Sequence, residues 1–150
     1  MCFVVFVGAE GYRLQYEWVI KELTLLFSNG EFNHVLFAPP EKFHVSSVDL
    51  QTIRYTTKHL TGLGYQDGAI PYSFLQQYIS KLERCTVYCY GQTIKNLLEQ
   101  QIPYTTVVDI KELGYKMPIE LPVAECGRNH NPRYCSLAKA KTIKEFIDQQ

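Results

Sequence analysis

The sequence has no excess of either charge: fifteen lysines and arginines stand against fifteen aspartates and glutamates, a formal net charge of zero. That absence argues against a generic polyanion binder, which carries a strong basic surplus, but it leaves room for a local basic groove. Long apolar runs are missing too. The first apolar run, residues 2–7 (CFVVFV), is too short for a signal peptide or a membrane span, and no basic stretch precedes it. The five cysteines are an odd number, which excludes a fully paired disulfide framework. The expected compartment is therefore a reducing one, cytoplasm or nucleus, where cysteine serves as core filler or metal ligand. There is no Walker A loop, no G-x-S-x-G elbow and no G-x-G-x-x-G fingerprint, and Gly62-Leu-Gly64 is too short to count as one. Internal repeats and linkers are also lacking. What is present is a globular composition, 46% hydrophobic and 20% charged, at a length that suits one domain over residues 1–150.

The apolar patterning predicts an α/β fold. Residues 2–7 read as a central strand buried on both faces, broken by Gly8-Ala9-Glu10-Gly11. A second strand is expected over Trp18–Phe27, then a tight turn at Ser28-Asn29-Gly30 and a third strand over residues 31–37, closed by Pro39-Pro40. The period then changes. Ser46 or Ser47 caps a helix over residues 48–59, and Pro71 opens another with Phe74, Leu75, Tyr78, Ile79 and Leu82 at helical spacing. A buried strand at residues 85–90, a helix over Gln92–Gln101, a strand at 105–108, a helical turn at 109–113 and a last helix at about 134–148 complete the chain. Three antiparallel strands followed by strands fed through helices imply a mixed five-stranded sheet, three strands antiparallel and then two parallel, with helices on both faces. That order is the ribonuclease H-like one.

The sharpest local feature is a C-x3-H-x4-C cluster formed by Cys126, His130 and Cys135. Thiolate and imidazole are preferred zinc ligands, and short spacing lets one loop present several of them to one ion. Taken singly, each is an ordinary loop or packing residue; together they sit at ligand spacing. A tetrahedral zinc needs a fourth ligand, water or a distant side chain. Glu22 interrupts the otherwise apolar second strand, where a carboxylate is costly unless paired or coordinated. The other reading of Glu22 is a glutamate on a solvent-facing sheet surface. Cys2, Cys85 and Cys89 read as core.

These residues carry a family resemblance. The segment His130-Asn-Pro-Arg-Tyr-Cys135-Ser-Leu-Ala-Lys-Ala140 resembles the last motif of DEDDh-type 3′→5′ exonucleases, in which an aspartate starts the final helix where Cys135 stands here. Gly8-Ala9-Glu10 matches the place of their first motif, Asp-x-Glu, without its aspartate. The strand and helix at residues 88–98, which correspond to the middle motif, contain no aspartate. Two-metal nucleases need clustered carboxylates, so an ordinary exonuclease of that class is excluded.

The chain is more closely similar to the Maelstrom domain of the animal piRNA pathway, a DEDDh-type fold that has exchanged its catalytic set for a Glu-Cys-His-Cys zinc set. Glu22-Leu-Thr-Leu-Leu-Phe-Ser28-Asn-Gly30, Cys126, His130 and Cys135-Ser-Leu-Ala138 resemble that pattern. Exonuclease-like relatives of the same lineage also occur in mobile-element and viral proteins of invertebrates. The resemblance implies zinc on Glu22, Cys126, His130 and Cys135. With four protein ligands the zinc is structural; with the three local ligands and a water it permits hydrolysis.

Three functions follow as expectations. One is an RNA-binding or ribonucleoprotein scaffold of RNA-silencing type, contacting single-stranded RNA through the basic group Arg128, Arg133, Lys139, Lys141 and Lys144, with Arg54, Lys58 and His59 as further candidates. The second is a residual single-strand-specific ribonuclease, which the resemblance permits and for which Glu10, Glu22 and His59 are the nameable acid–base groups. The third is a protein-interaction module, favoured by zero net charge and the eleven tyrosines.

Overall fold

A computed structural model describes residues 3–40, 46–118, 121 and 134–150. Three strands come first: β1 (Val4–Arg13), β2 (Trp18–Phe27) and β3 (Phe32–Leu36). Helix α1 (Ser47–Tyr55) follows and runs on into a π-helical turn, Thr56–Thr61, that ends on Gly62 in the left-handed conformation. A short 3-10 turn leads into α2 (Leu75–Ser80), then β4 (Thr86–Cys89), α3 (Gln92–Gln101), β5 (Thr106–Asp109), a second 3-10 turn and α4 (Ser136–Asp148). No helix among the described residues is long and apolar enough to cross a membrane.

The strands form one sheet in the order β3-β2-β1-β4-β5. The β1–β2 and β2–β3 pairs are antiparallel, while β1–β4 and β4–β5 are parallel. The mixed five-stranded layout expected from the sequence is the layout of the protein. The first strand is central because residues 4–7 are continuously apolar, so both faces must be covered there. Val5 and Val7 face a core shared with Ile79 and Leu82 around α2 and with Ile94 and Leu98 of α3. Phe6 and Leu26 face the opposite core, built on Leu137, Ala140 and Ile143 of α4.

One boundary differs from expectation. The glycines at positions 8 and 11 do not end β1; they lie inside it. A Cβ at Gly8 would overlap the Ser136 carbonyl at the start of α4, and one at Gly11 would overlap the Val19 carbonyl of β2. Glycine stands in this strand because a helix and a neighbouring strand approach its backbone too closely for any side chain. The ladder shifts register between Glu10 and Gly11, a bulge that re-aims the strand beyond it. The helix expected to reach residue 59 converts at Thr56 from α to π winding, held by buried Tyr12, whose hydroxyl meets Thr57 Oγ1 at 3.0 Å and donates to the Leu63 carbonyl.

Candidate functional site

Up to the bulge, the face of β1 and β2 that carries Phe6 and Leu26 is the one covered by α4. Leu26 lies at one end of the β2 row on this face, followed by Thr24 and then Glu22. Thr24 Oγ1 and Ser136 Oγ are 2.7 Å apart, and Glu22 Oε1 accepts a hydrogen bond from the Ser136 backbone N–H. Glu22 is fully buried. A carboxylate there satisfies one of the donors left open in the first turn of α4 and meets the positive end of its dipole. The solvent-facing reading of Glu22 is therefore wrong, because the sheet face that it occupies is covered by a helix. Cys135 is the residue just before that helix and is also buried, so a carboxylate from β2 and a thiol from the α4 entrance share one neighbourhood. His34 of β3 adds an imidazole, its Nε2 being 3.5 Å from Glu22 Oε2.

Carboxylate and thiolate are donor types that suit a zinc ion, and Glu22 and Cys135, both buried at the α4 entrance, are residues that would hold one. Cys126 and His130, the other two expected ligands, lie outside the described residues, as do Arg128 and Arg133. Among the described residues no three His, Cys, Asp or Glu side chains gather as a metal set.

A second feature adjoins this one. Glu10 stands directly opposite Glu22 across the β1–β2 ladder. Like charges in that relation are destabilising unless a cation is at hand. Lys139, one turn into α4, supplies it as an ion pair with Glu10. The pair lies in the wall of a cleft of about 490 Å³, where the ends of β1 and β4 meet α1, its π-helical extension and α4. Such a position, beyond the carboxyl ends of parallel strands, is where open α/β sheets bind ligands. Arg13 and Lys139 bring positive charge to the cleft, and Trp18, Tyr55, Tyr90 and Tyr134 bring aromatic rings. Glu10 is the one carboxylate lining it among the described residues.

The basic group expected on α4 separates in space. Lys139 lines the cleft, with its Nζ 6.0 Å from the Tyr134 ring centroid. Lys141 points toward Phe32 on the β3 side, 6.0 Å from its ring, and Lys144 pairs with Asp148 one turn on. Of these three, only Lys139 belongs to the cleft. His59 packs on Tyr55, with ring centroids 4.8 Å apart, and does not line the cleft with Glu10. Cys89 is core, its thiol pushed up to about 12 by burial and then by nearby Asp109.

Two contributors escaped the sequence reading, Arg13 in the cleft and His34 beside Glu22. The signal for His34 was available. The Asn29-Gly30 turn fixes the hairpin register at Thr24 opposite His34, which puts the imidazole diagonal to Glu22 on the same face. Arg13 carried no such signal: it lies past the register shift, where β2 holds an extra residue, Lys21, and nothing in the local pattern marks it.

No family model matches the sequence, and no curated protein matches it.

Proposed function

We propose that the chain is a degenerate exonuclease-type domain of the ribonuclease H-like, Maelstrom-like lineage that holds single-stranded RNA without cutting it. The observation that carries this reading is the make-up of the cleft. Its aromatic rings offer faces on which unpaired bases stack, and its guanidinium and ammonium groups suit phosphates. The one carboxylate lining it among the described residues is already paired with Lys139, whereas two-metal phosphodiester cleavage needs several carboxylates to hold its cations. Zero net charge adds no long-range attraction for a polyanion and predicts modest affinity.

Zinc on Glu22, Cys126, His130 and Cys135 completes the proposal. A closed set of four protein ligands supplies a brace between β2 and the entrance to α4, and no activated water. Joint burial of Glu22 and Cys135 at that entrance supports it. On this reading the domain serves as an RNA-holding part of a ribonucleoprotein, of RNA-silencing type, in the cytoplasm or nucleus.

The test is fluorescence anisotropy with a labelled single-stranded RNA of about a dozen nucleotides at several salt concentrations, with the same RNA run on a gel after incubation with magnesium, manganese or a chelator. The expected result is salt-dependent binding with intact RNA in every lane. Binding that ignores salt, or metal-dependent shortening of the RNA, overturns the reading.

A further inference from the structure

Within the proposed RNA cleft, the lysine best placed to meet a phosphate is already engaged. Lys139 is bound to Glu10, a buried residue in the wall of the cleft. A carboxylate is an internal stand-in for a phosphate: it is anionic, offers two oxygens, and matches an ammonium donor equally well. The strand ladder also makes Lys139 hard to release. Glu22 faces Glu10 directly, so withdrawing the partly exposed Lys139 leaves two buried carboxylates opposed with one cation fewer between them, and a buried charge that loses a partner is costly. Arg13, the other cation of the cleft, has no such partner among the described residues.

We infer that Glu10 is an internal competitor for the phosphate groups of the ligand, and that it limits the affinity of the cleft by neutralising Lys139. The ligand chemistry is a phosphate ester or anhydride. Its two possible sources are an RNA backbone, which rests on the function proposed above, and a small free phosphate compound, which does not. An unmodified cleft then binds such ligands through Arg13 and the aromatic rings with Lys139 largely silent, and exchanges them readily.

The experiment measures binding of labelled single-stranded RNA by anisotropy, and of inorganic pyrophosphate by calorimetry, to the wild type, Glu10→Gln and the double variant Glu10→Gln/Lys139→Gln. Thermal melts check that each variant is folded. The double variant is used instead of Lys139→Gln alone because the single change would leave Glu10 and Glu22 facing each other without their lysine. The expected result is that Glu10→Gln tightens binding about tenfold, within the usual span of coupling between sites, and that the gain disappears in the double variant. If Glu10→Gln takes up pyrophosphate more tightly while no variant binds RNA, the competitor role stands and the RNA reading falls. If RNA binds the wild type and Glu10→Gln alike, or the double variant keeps the gain, the competitor role is overturned and the RNA reading survives. If no variant binds either ligand, both are overturned.

Discussion

Glu10 and Glu22 face each other across the β1–β2 ladder, both buried, and each is answered by the same helix. Lys139 of α4 pairs with Glu10, and the Ser136 backbone N–H donates to Glu22. The helix is therefore docked by charge as well as by Leu137 and Ile143. Its position in turn decides whether the sheet can tolerate two carboxylates at its centre.

Zinc content is the most direct check on this region. The purified domain should carry one zinc per chain by elemental analysis, and Cys135→Ser should lose it and fall in stability by at least about 2 kcal/mol, since binding of a structural zinc is itself folding free energy. A variant that keeps wild-type melting and metal content would sink the zinc brace.

Gly8→Ala should be severely destabilising although it adds only a methyl group. The added Cβ overlaps the Ser136 carbonyl, and backbone on both sides prevents relief. Overpacking of this kind costs about 1–3 kcal/mol, seen as a shift in the urea midpoint. Because α4 would be pushed outward, RNA binding should weaken in the same variant. Unchanged stability would mean that α4 lies farther from β1 than described.

Lys21 gives a pH prediction. It is almost wholly buried on β2, donates to the Tyr65 carbonyl at 2.6 Å and also to the Asp67 carbonyl, and so ties the 62–70 loop to the sheet. Burial lowers its pKa from 10.5 to about 8, with Asp67 pulling more weakly the other way. Between those values the unfolded chain holds a proton that the folded one has released, so stability from this group rises with pH across the window from about 8 to 10.5. At about 1.4 kcal/mol per pKa unit, the rise is at most about 3–4 kcal/mol. Lys21→Met should lack it. Parallel stability curves for wild type and variant over that window would refute the assignment.

Tyr12→Phe should cost about 1 kcal/mol, because the hydroxyl donates to the Leu63 carbonyl. Thr57 Oγ1 also donates to that carbonyl at 3.0 Å, which keeps the penalty modest. The readout that matters is local: amide exchange across the π-helical turn should speed up, since Tyr12 is what pins it. Uniform acceleration over the whole chain would point to global destabilisation instead.

Much of the sheet was legible from residue order. Apolar strands of the right length, one Asn-Gly turn and two helix-spaced segments between strands were enough to give the antiparallel-then-parallel layout. The extent of β1 was not legible, because glycine reads as a break unless one knows that Ser136 lies against it. Glu22 stood out as a lone carboxylate in an apolar run, and its burial agrees with the cost argument. Lys139 did not stand out from Lys141 and Lys144. On a helix those three point in different directions, and only the partner strands decide which one meets Glu10. Contacts between residues far apart in sequence thus carried what local patterning could not.

The docking of α4 also sets an order of events during synthesis. Glu22 and its Ser136 partner are 114 positions apart, so the central hairpin emerges from a ribosome long before the helix that covers it. Until α4 arrives, one face of β1 and β2 exposes Phe6 and Leu26 beside two opposed carboxylates. That charge disfavours stacking of one such hairpin face on another, because burying unpaired like charges together is costly. The buried glutamates would then act as gatekeepers against aggregation in the nascent chain, before serving the folded one.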